Sequence, residues 1–331
     1  MLEALGLGPR QRASRTASAE RAWSLSAYQP PTARRPACML IPAPIKRAYI
    51  FDLAPGASVV ERCLDAGFAT YLVCWKAPAA DDQDHGLAEY ADRWLVSAVD
   101  TVAAETAETR PFLVGHSLGG MLAAIFAALH PNRLGGLVLL ETPLHFGPDA
   151  GALGRLVAAS PRIAQGCPTS RTIPGTYLDV SACCAAPATF LGAPTLDWVA
   201  SLVAGLEAVR LHAAVTRWTL DELAMPGRLF RQVADDLYRD NAFMHGTLEI
   251  AGRRAAPGHV RAPVLSVFNP GSEIVPPASV LPFHDATASR TTRILAYHGD
   301  TGVALQHVGV LVGPAAHREI WPQILGWLAE H

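Results

Sequence analysis

Gly115-His116-Ser117-Leu118-Gly119, with Gly120 behind it, sets a serine between glycines in the pattern G-x-S-x-G. A serine hydroxyl can attack a carbonyl when a strained strand-to-helix turn holds it clear of a sheet and a base removes its proton. The flanks suit such a turn. Phe112-Leu113-Val114 is a short apolar run fit for a buried parallel strand, and residues 121–129 are rich in Ala, Leu and Met, good formers of a buried helix. Gly115 and Gly119 lack Cβ atoms, so strand and helix can close on each other there. The N–H of Leu118 falls at the helix N-terminus, where a developing oxyanion is favoured. The competing reading is a glycine-rich turn with an incidental serine; strand and helix on either side favour the nucleophile.

A nucleophilic serine needs a base and a carboxylate to orient it, in chain order Ser, acid, His on this kind of scaffold. Gln306-His307-Val308-Gly309 stands ahead of the closing apolar segment and makes His307 the candidate base, with His298 and His317 as competitors. For the acid, the loop after the strand at 263–268 reads Asn269-Pro270-Gly271-Ser272-Glu273-Ile274-Val275-Pro276, and Glu273 ranks first. Glu141, at the end of the strand after the elbow helix, ranks second, and Asp300, in the histidine loop, third. The second oxyanion donor is expected in the loop after the strand at 38–41. There Pro42-Ala43-Pro44-Ile45 cannot continue a ladder, and Ile45 supplies an N–H that Pro44 lacks.

The elements that must position these groups alternate along the chain. Residues 58–66 read as a helix closed by Gly67, 70–75 as a β-branched and aromatic strand, 88–106 as an amphipathic helix, and 136–140 as a strand. Strands return at 263–268 and 293–297, and a helix closes the chain at 321–329. From about 145 to 254 the alternation stops. Helical stretches at 196–211 and 228–239 sit among Gly-, Pro-, Cys- and Ala-rich loops, which suggests an inserted cap. Residues 1–36 carry Arg10, Arg12, Arg15 and Arg21 and a Pro30-Pro31 break, and read as a short helix or loosely held arm that can pack on a partner, a homodimer being one arrangement. The expected organisation is an arm at 1–36, a core at 37–147 and 251–331, and a helical cap at 148–250.

Composition bounds the function. The 331 residues can bury one large core plus a cap, half of them are apolar, and the net charge is −2. That balance gives no electrostatic bias toward nucleic acid or an anionic membrane, and no apolar run approaches the roughly 18 residues of a membrane span. Cys38, Cys63, Cys74, Cys167, Cys183 and Cys184 lack zinc-ligand spacing and read as reduced thiols of a cytoplasmic protein, so neither metal nor cofactor is expected.

Several segments resemble the polyhydroxyalkanoate synthases of class III type. Ile41-Pro42-Ala43-Pro44-Ile45-Lys46 and Tyr49-Ile50-Phe51-Asp52-Leu53-Ala54-Pro55-Gly56-Ala57-Ser58 are similar to the entry segment of that family, with its Tyr-x-x-Asp-Leu-x-Pro-x-x-Ser run. Tyr71-Leu72-Val73-Cys74-Trp75 resembles the strand that follows. Trp218-Thr219-Leu220-Asp221-Glu222, Leu237-Tyr238-Arg239-Asp240-Asn241, Glu249-Ile250-Ala251-Gly252-Arg253-Arg254 and Ile274-Val275-Pro276-Pro277 continue in step, so the likeness runs from about residue 38 to the C-terminus. It implies an α/β-hydrolase fold, with a mainly parallel sheet, helices on both faces and a helical cap. It also implies hydroxyacyl or polyester-like substrates, including coenzyme A thioesters. The family histidine matches His307.

Two departures stand out. The family has cysteine where this chain has Ser117, and the family aspartate, two places before the Ile of the I-V-P run, is Ser272 here. The acid is then displaced to Glu273 or replaced by Glu141, where the family usually has no carboxylate. The resulting expectation is a serine acyl enzyme that passes an ester or thioester acyl group to water or to an alcohol. Ser117, His307 and Glu273 are the catalytic set, and Leu118 and Ile45 the oxyanion donors. The alternatives are a polymerising acyltransferase that uses acyl-coenzyme A and a non-catalytic partner protein on the same fold.

Overall fold

The computed structural model describes residues 9–28, 35–106, 109–162 and 172–331. Its centre is an eight-stranded sheet of β1 (Arg15–Ala19), β2 (Trp23–Tyr28), β3 (Arg35–Ile41), β4 (Phe68–Trp75), β5 (Phe112–His116), β6 (Gly136–Leu140), β7 (Val264–Phe268) and β8 (Thr292–Ala296). The order across the sheet is β1-β2-β4-β3-β5-β6-β7-β8. Strands β3 to β8 run parallel, while β2 lies antiparallel to β4 and β1 antiparallel to β2.

Side chains alternate across the pleat, and in a sheet buried on both sides each strand feeds two cores. Met39, Ile41, Leu113, Leu137 and Leu139 enter one core, shared with α2 (Trp94–Thr106) and α3 (Leu118–Leu129). Cys38, Leu40, Val114, Val138 and Leu140 enter the other, packed on α1 (Val59–Asp65) and α8 (Trp321–Glu330). The α1 helix begins where Ser58 Oγ accepts the N–H of Glu61 at 2.9 Å, and the same hydroxyl donates to buried Asp52 at 2.7 Å. That bond accounts for the Asp and Ser of the Tyr-x-x-Asp-Leu-x-Pro-x-x-Ser run: the pair starts the helix.

The reading of residues 1–36 as a short helix or loose arm requires correction. Arg15–Ala19 and Trp23–Tyr28 are sheet strands, with Trp23 and Leu25 fully buried and Arg15 held by both carboxylate oxygens of Glu105 on α2. Residues 1–8 and 29–34, and Cys167, lie outside the described residues. Cys38 and Cys63 are buried free thiols. No helix among the described residues is long and apolar enough to cross a membrane.

Between β6 and β7 come α4 (Ala152–Ala159), α5 (Gly175–Ala185), α6 (Ala193–Ala204) and α7 (Leu206–Thr219). Gly205 divides α6 from α7 at a φ of 112°. Leu248–Ile250 pairs antiparallel with Arg253–Ala255, so a boundary at 250 would cut a hairpin.

The glycines of the elbow carry a testable constraint. A Cβ on Gly119 would lie 2.2 Å from the carbonyl oxygen of Ile41 and 2.6 Å from the carbonyl carbon of Pro42. Backbone stands in the way, not a movable side chain. Gly119→Ala is expected to destabilise the fold by about 3 kcal/mol or more, read as a lower denaturant midpoint; an unchanged midpoint would contradict the packing.

Candidate active site

Ser117 sits between the end of β5 and the start of α3 with φ 53° and ψ −127°. A non-glycine residue in that region is strained and persists only when its surroundings hold it. Here they do. The Ser117 N–H donates to the carbonyl of Leu140 on β6 at 2.9 Å. A Cβ on Gly115 would meet the Cα of Gly120 at 2.5 Å, and one on Gly120 would meet Thr142 Oγ1 at 2.0 Å. Strand, helix and the chain after β6 therefore close around the serine, which stays partly exposed.

The loop after β3 is fastened against the same turn. Trp75 Nε1 donates to the carbonyl of Pro42 at 2.8 Å, and this is the peptide that approaches Gly119. Ala43 supplies the N–H of that peptide. Ala43, Ile45, Ser117, Leu118 and His307 all line one cavity of about 880 Å³. Sequence reasoning named Ile45 and passed over Ala43; the signal was a non-proline residue directly after Pro42, the first residue beyond the strand.

His307 follows β8 in a short helical turn, and its side chain is 13 % exposed. Its Nδ1 lies 3.8 Å from Oε2 of Glu141, a fully buried carboxylate at the end of β6. The two atoms are buried side by side, and neither has a hydrogen-bond partner among the described residues. Glu141 Oε1 accepts the N–H of Asn269 at 2.7 Å, which fixes the carboxyl plane. Glu141 also takes a left-handed φ of 45°. His116 Nε2 bonds the carbonyl of His307 at 2.8 Å, and the two rings lie 4.9 Å apart. The residue before the serine thus holds the residue that carries the imidazole.

The structure brings Glu141, ranked second, to His307 and leaves the carboxylate ranked first apart from it. Glu273, ranked first, is exposed and accepts a hydrogen bond from Thr189 at 2.7 Å. The physical reason lies in the turn at 269–275, where Ser272 Oγ accepts the N–H groups of Ile274 and Val275 while Glu273 extends to the surface. Asp300 is committed elsewhere, to the N–H groups of Ala315 and Ala316 and the hydroxyl of Tyr297. Of the competing histidines, His298 is exposed, and both ring nitrogens of His317 are engaged, by Arg62 and by the carbonyl of Leu311.

Burial sets the charges. It disfavours the imidazolium of His307, lowering its pKa to about 4, and disfavours the Glu141 carboxylate, raising its pKa to about 8 against the pull of the Asn269 N–H. The sign follows from linkage. A carboxyl whose folded pKa is raised contributes stability at low pH that is lost as pH climbs from about 4.5 through 8. Glu141→Gln removes that loss. The variant is expected to gain stability relative to the parent as pH rises from about 5 to 9, with a slope no steeper than about 1.4 kcal/mol per pH unit. Denaturant titrations across that range measure it, and parallel pH profiles would contradict the assignment.

A family model described as the alpha/beta hydrolase fold matches residues 59–164. The chain is 28% identical over 301 residues to the poly(3-hydroxyalkanoate) polymerase subunit PhaC of Haloferax mediterranei, covering 88% of this chain and 58% of that one. It is 26% identical over 299 residues to the same subunit of Thiocystis violacea, covering 90% of this chain and 82% of that one. The chain thus spans less than two thirds of the Haloferax mediterranei subunit's length. Among solved structures, the monoacylglycerol lipase of Paleococcus ferrophilus superposes with a TM-score of 0.59 at 17% identity, over 93% of this chain and 99% of that one. A soluble variant of the Saccharomyces cerevisiae monoglyceride lipase gives 0.57 at 12%, over 97% and 98%. At these identities the solved structures speak for the fold. With its strand order, its G-x-S-x-G elbow and these relatives, the chain is an α/β-hydrolase-fold protein similar to the polyhydroxyalkanoate polymerase subunits.

Proposed function

We propose that the chain is a serine-dependent acyl-enzyme catalyst for a hydroxyacyl or polyester-like ester or thioester. The observation that carries this reading is the opening of Ser117 and His307 into one largely apolar cavity, with Glu141 behind the imidazole. Ser117 Oγ attacks the carbonyl carbon as His307 takes the hydroxyl proton. The oxyanion rests on the N–H of Leu118 and on a donor from the loop after β3, Ile45 or Ala43. Collapse returns the proton through His307 to the departing alcohol or thiol and leaves an ester on Ser117. Water or an acceptor alcohol then attacks that ester by the same steps in reverse order. Neither metal nor organic cofactor has a part in these steps.

Glu141, not Glu273, takes the orienting role in this reading. The imidazolium that forms in each proton transfer is otherwise disfavoured by burial, and Glu141 in its ionised form, facing Nδ1, offsets that cost. The helical insertion between β6 and the Leu248–Ala255 hairpin acts as the cap. Leu156, Val157, Leu178, Phe190 and Phe230 from this region help wall the cavity, whose size suits an acyl chain. Lys46, in the loop after β3, reaches Asp179 on α5 at 2.6 Å and the carbonyl of Thr219 at the end of α7, tying the cap to the core beside the oxyanion loop.

Polymerising transfer is the second reading, favoured by the polymerase names of the relatives. Mass spectrometry of products from 3-hydroxybutyryl-coenzyme A and a short hydroxyalkanoate oligomer separates the two: free acid means hydrolysis, and lengthened oligomer means transfer. Ser117→Ala is expected to abolish either product with the fold intact, and full activity in that variant would overturn the proposal. Glu141→Gln is expected to lower kcat by about 10³- to 10⁴-fold, with Glu273→Gln unchanged. Equal losses in the two, or loss in Glu273→Gln alone, would return the acid to Glu273.

A further inference from the structure

The loop that delivers His307 is clasped in two ways. Within the loop, Asp300 and Gln306 bond each other: the N–H of Asp300 donates to Gln306 Oε1 at 3.0 Å and Gln306 Nε2 donates to the Asp300 carbonyl at 2.6 Å. From the helical insertion, one carboxylate takes the middle of the loop. Asp197 on α6 accepts the N–H of Gly302 on Oδ1 at 2.9 Å and the N–H of Ala304 on Oδ2 at 2.8 Å. Its side chain is 9 % exposed. A third donor, Nδ1 of His212 on α7, reaches Oδ2 at 2.8 Å, and the His212 ring lies 5.1 Å from that of Trp198.

The loop needs such a clasp. Ala304 holds a left-handed φ of 54°, which costs an L-residue energy that its surroundings must repay. Gly302 has a φ of 85°, and a Cβ there would lie 2.9 Å from the carbonyl oxygen of Ala208 on α7. Ala304, Leu305 and His307 line the cavity together, so any shift of this loop carries the base with it. Charge-assisted bonds from backbone N–H groups to a buried carboxylate are among the stronger ones available to fix it.

We propose that Asp197 is a positioning residue for the reaction: from the helical insertion it locks residues 302–304 and so sets His307 against Ser117. This rests on the proposed serine chemistry. It makes the insertion part of the catalytic geometry as well as a wall, because the loop of the base takes its conformation from a side chain on α6. The alternative is that Asp197 and His212 only staple α6 to α7.

The test compares wild type, Asp197→Asn, His212→Gln and Ser117→Ala in the full chain. A fluorophosphonate probe gives the rate constant and final extent of labelling, and p-nitrophenyl butyrate gives kcat and KM. A displaced base slows chemistry in every folded molecule, whereas a lost staple lowers the fraction of molecules that react. Asp197→Asn is therefore expected to label to the wild-type extent with a rate constant and kcat about 10- to 100-fold lower, with KM unchanged. His212→Gln is expected to melt earlier and keep its kcat. Because the rate constant comes from the labelled fraction, a partly unfolded preparation still answers, and Asp197→Ala serves as the second variant. Reduced extent at normal rate in the Asp197 variants, or equal losses of kcat in Asp197→Asn and His212→Gln, would overturn the inference alone. A wild type that neither labels at Ser117 nor turns over would overturn the serine reading and this inference with it.

Discussion

The left-handed turn at Ser117 is the constraint on which the rest of the site depends. No local preference holds a serine at φ 53°. It is held because three glycines let β5, α3, the loop after β3 and the chain after β6 approach within distances that a single Cβ would forbid. The same approaches bring the Pro42–Ala43 peptide against Gly119, and Ala43, Ser117 and Leu118 line one cavity. One packing arrangement therefore both strains Ser117 and assembles the groups proposed to hold the oxyanion, and the two cannot be varied separately.

Behind the serine, burial does the electrostatic work. His307 and Glu141 face each other in surroundings that disfavour charge on either, so the imidazole rests neutral and ready to accept a proton. His116 and Asp197 both reach the backbone around His307, one from the end of β5 and one from the helical insertion. In the proposed reaction the ring has little freedom to drift, and the precision of proton transfer comes from backbone fixing more than from the imidazole's own contacts.

Much of this was legible in the chain because it follows from periodicity and glycine. Apolar runs marked the parallel strands, Ser58 and Gly67 marked the ends of α1, and the flanks of Gly115–Gly119 marked the elbow. The first strands were missed, although Trp23-Ser24-Leu25-Ser26-Ala27-Tyr28 alternates apolar with small residues at a strand's period of two. The surrounding arginines and prolines drew the reading toward an arm. The difference between the two candidate acids was hidden for another reason. Glu273 and Glu141 are alike as letters, and what separates them is the Ser272 turn that sends one to the surface and the sheet register that buries the other at the end of β6. The hold of Asp197 on the histidine loop spans about a hundred residues of chain and has no local signature.

The central claim is that acyl groups pass through an oxygen ester on Ser117. A sulfur competitor is at hand, since Cys183 lines the same cavity. Acid-quenching the protein during turnover of p-nitrophenyl butyrate or 3-hydroxybutyryl-coenzyme A, followed by peptide mass spectrometry, finds the acylated atom directly. The account predicts an acyl mass on the peptide that contains Ser117, stable to neutral hydroxylamine as an oxygen ester is. A hydroxylamine-labile adduct on Cys183, or turnover with Ser117 never acylated, would contradict it.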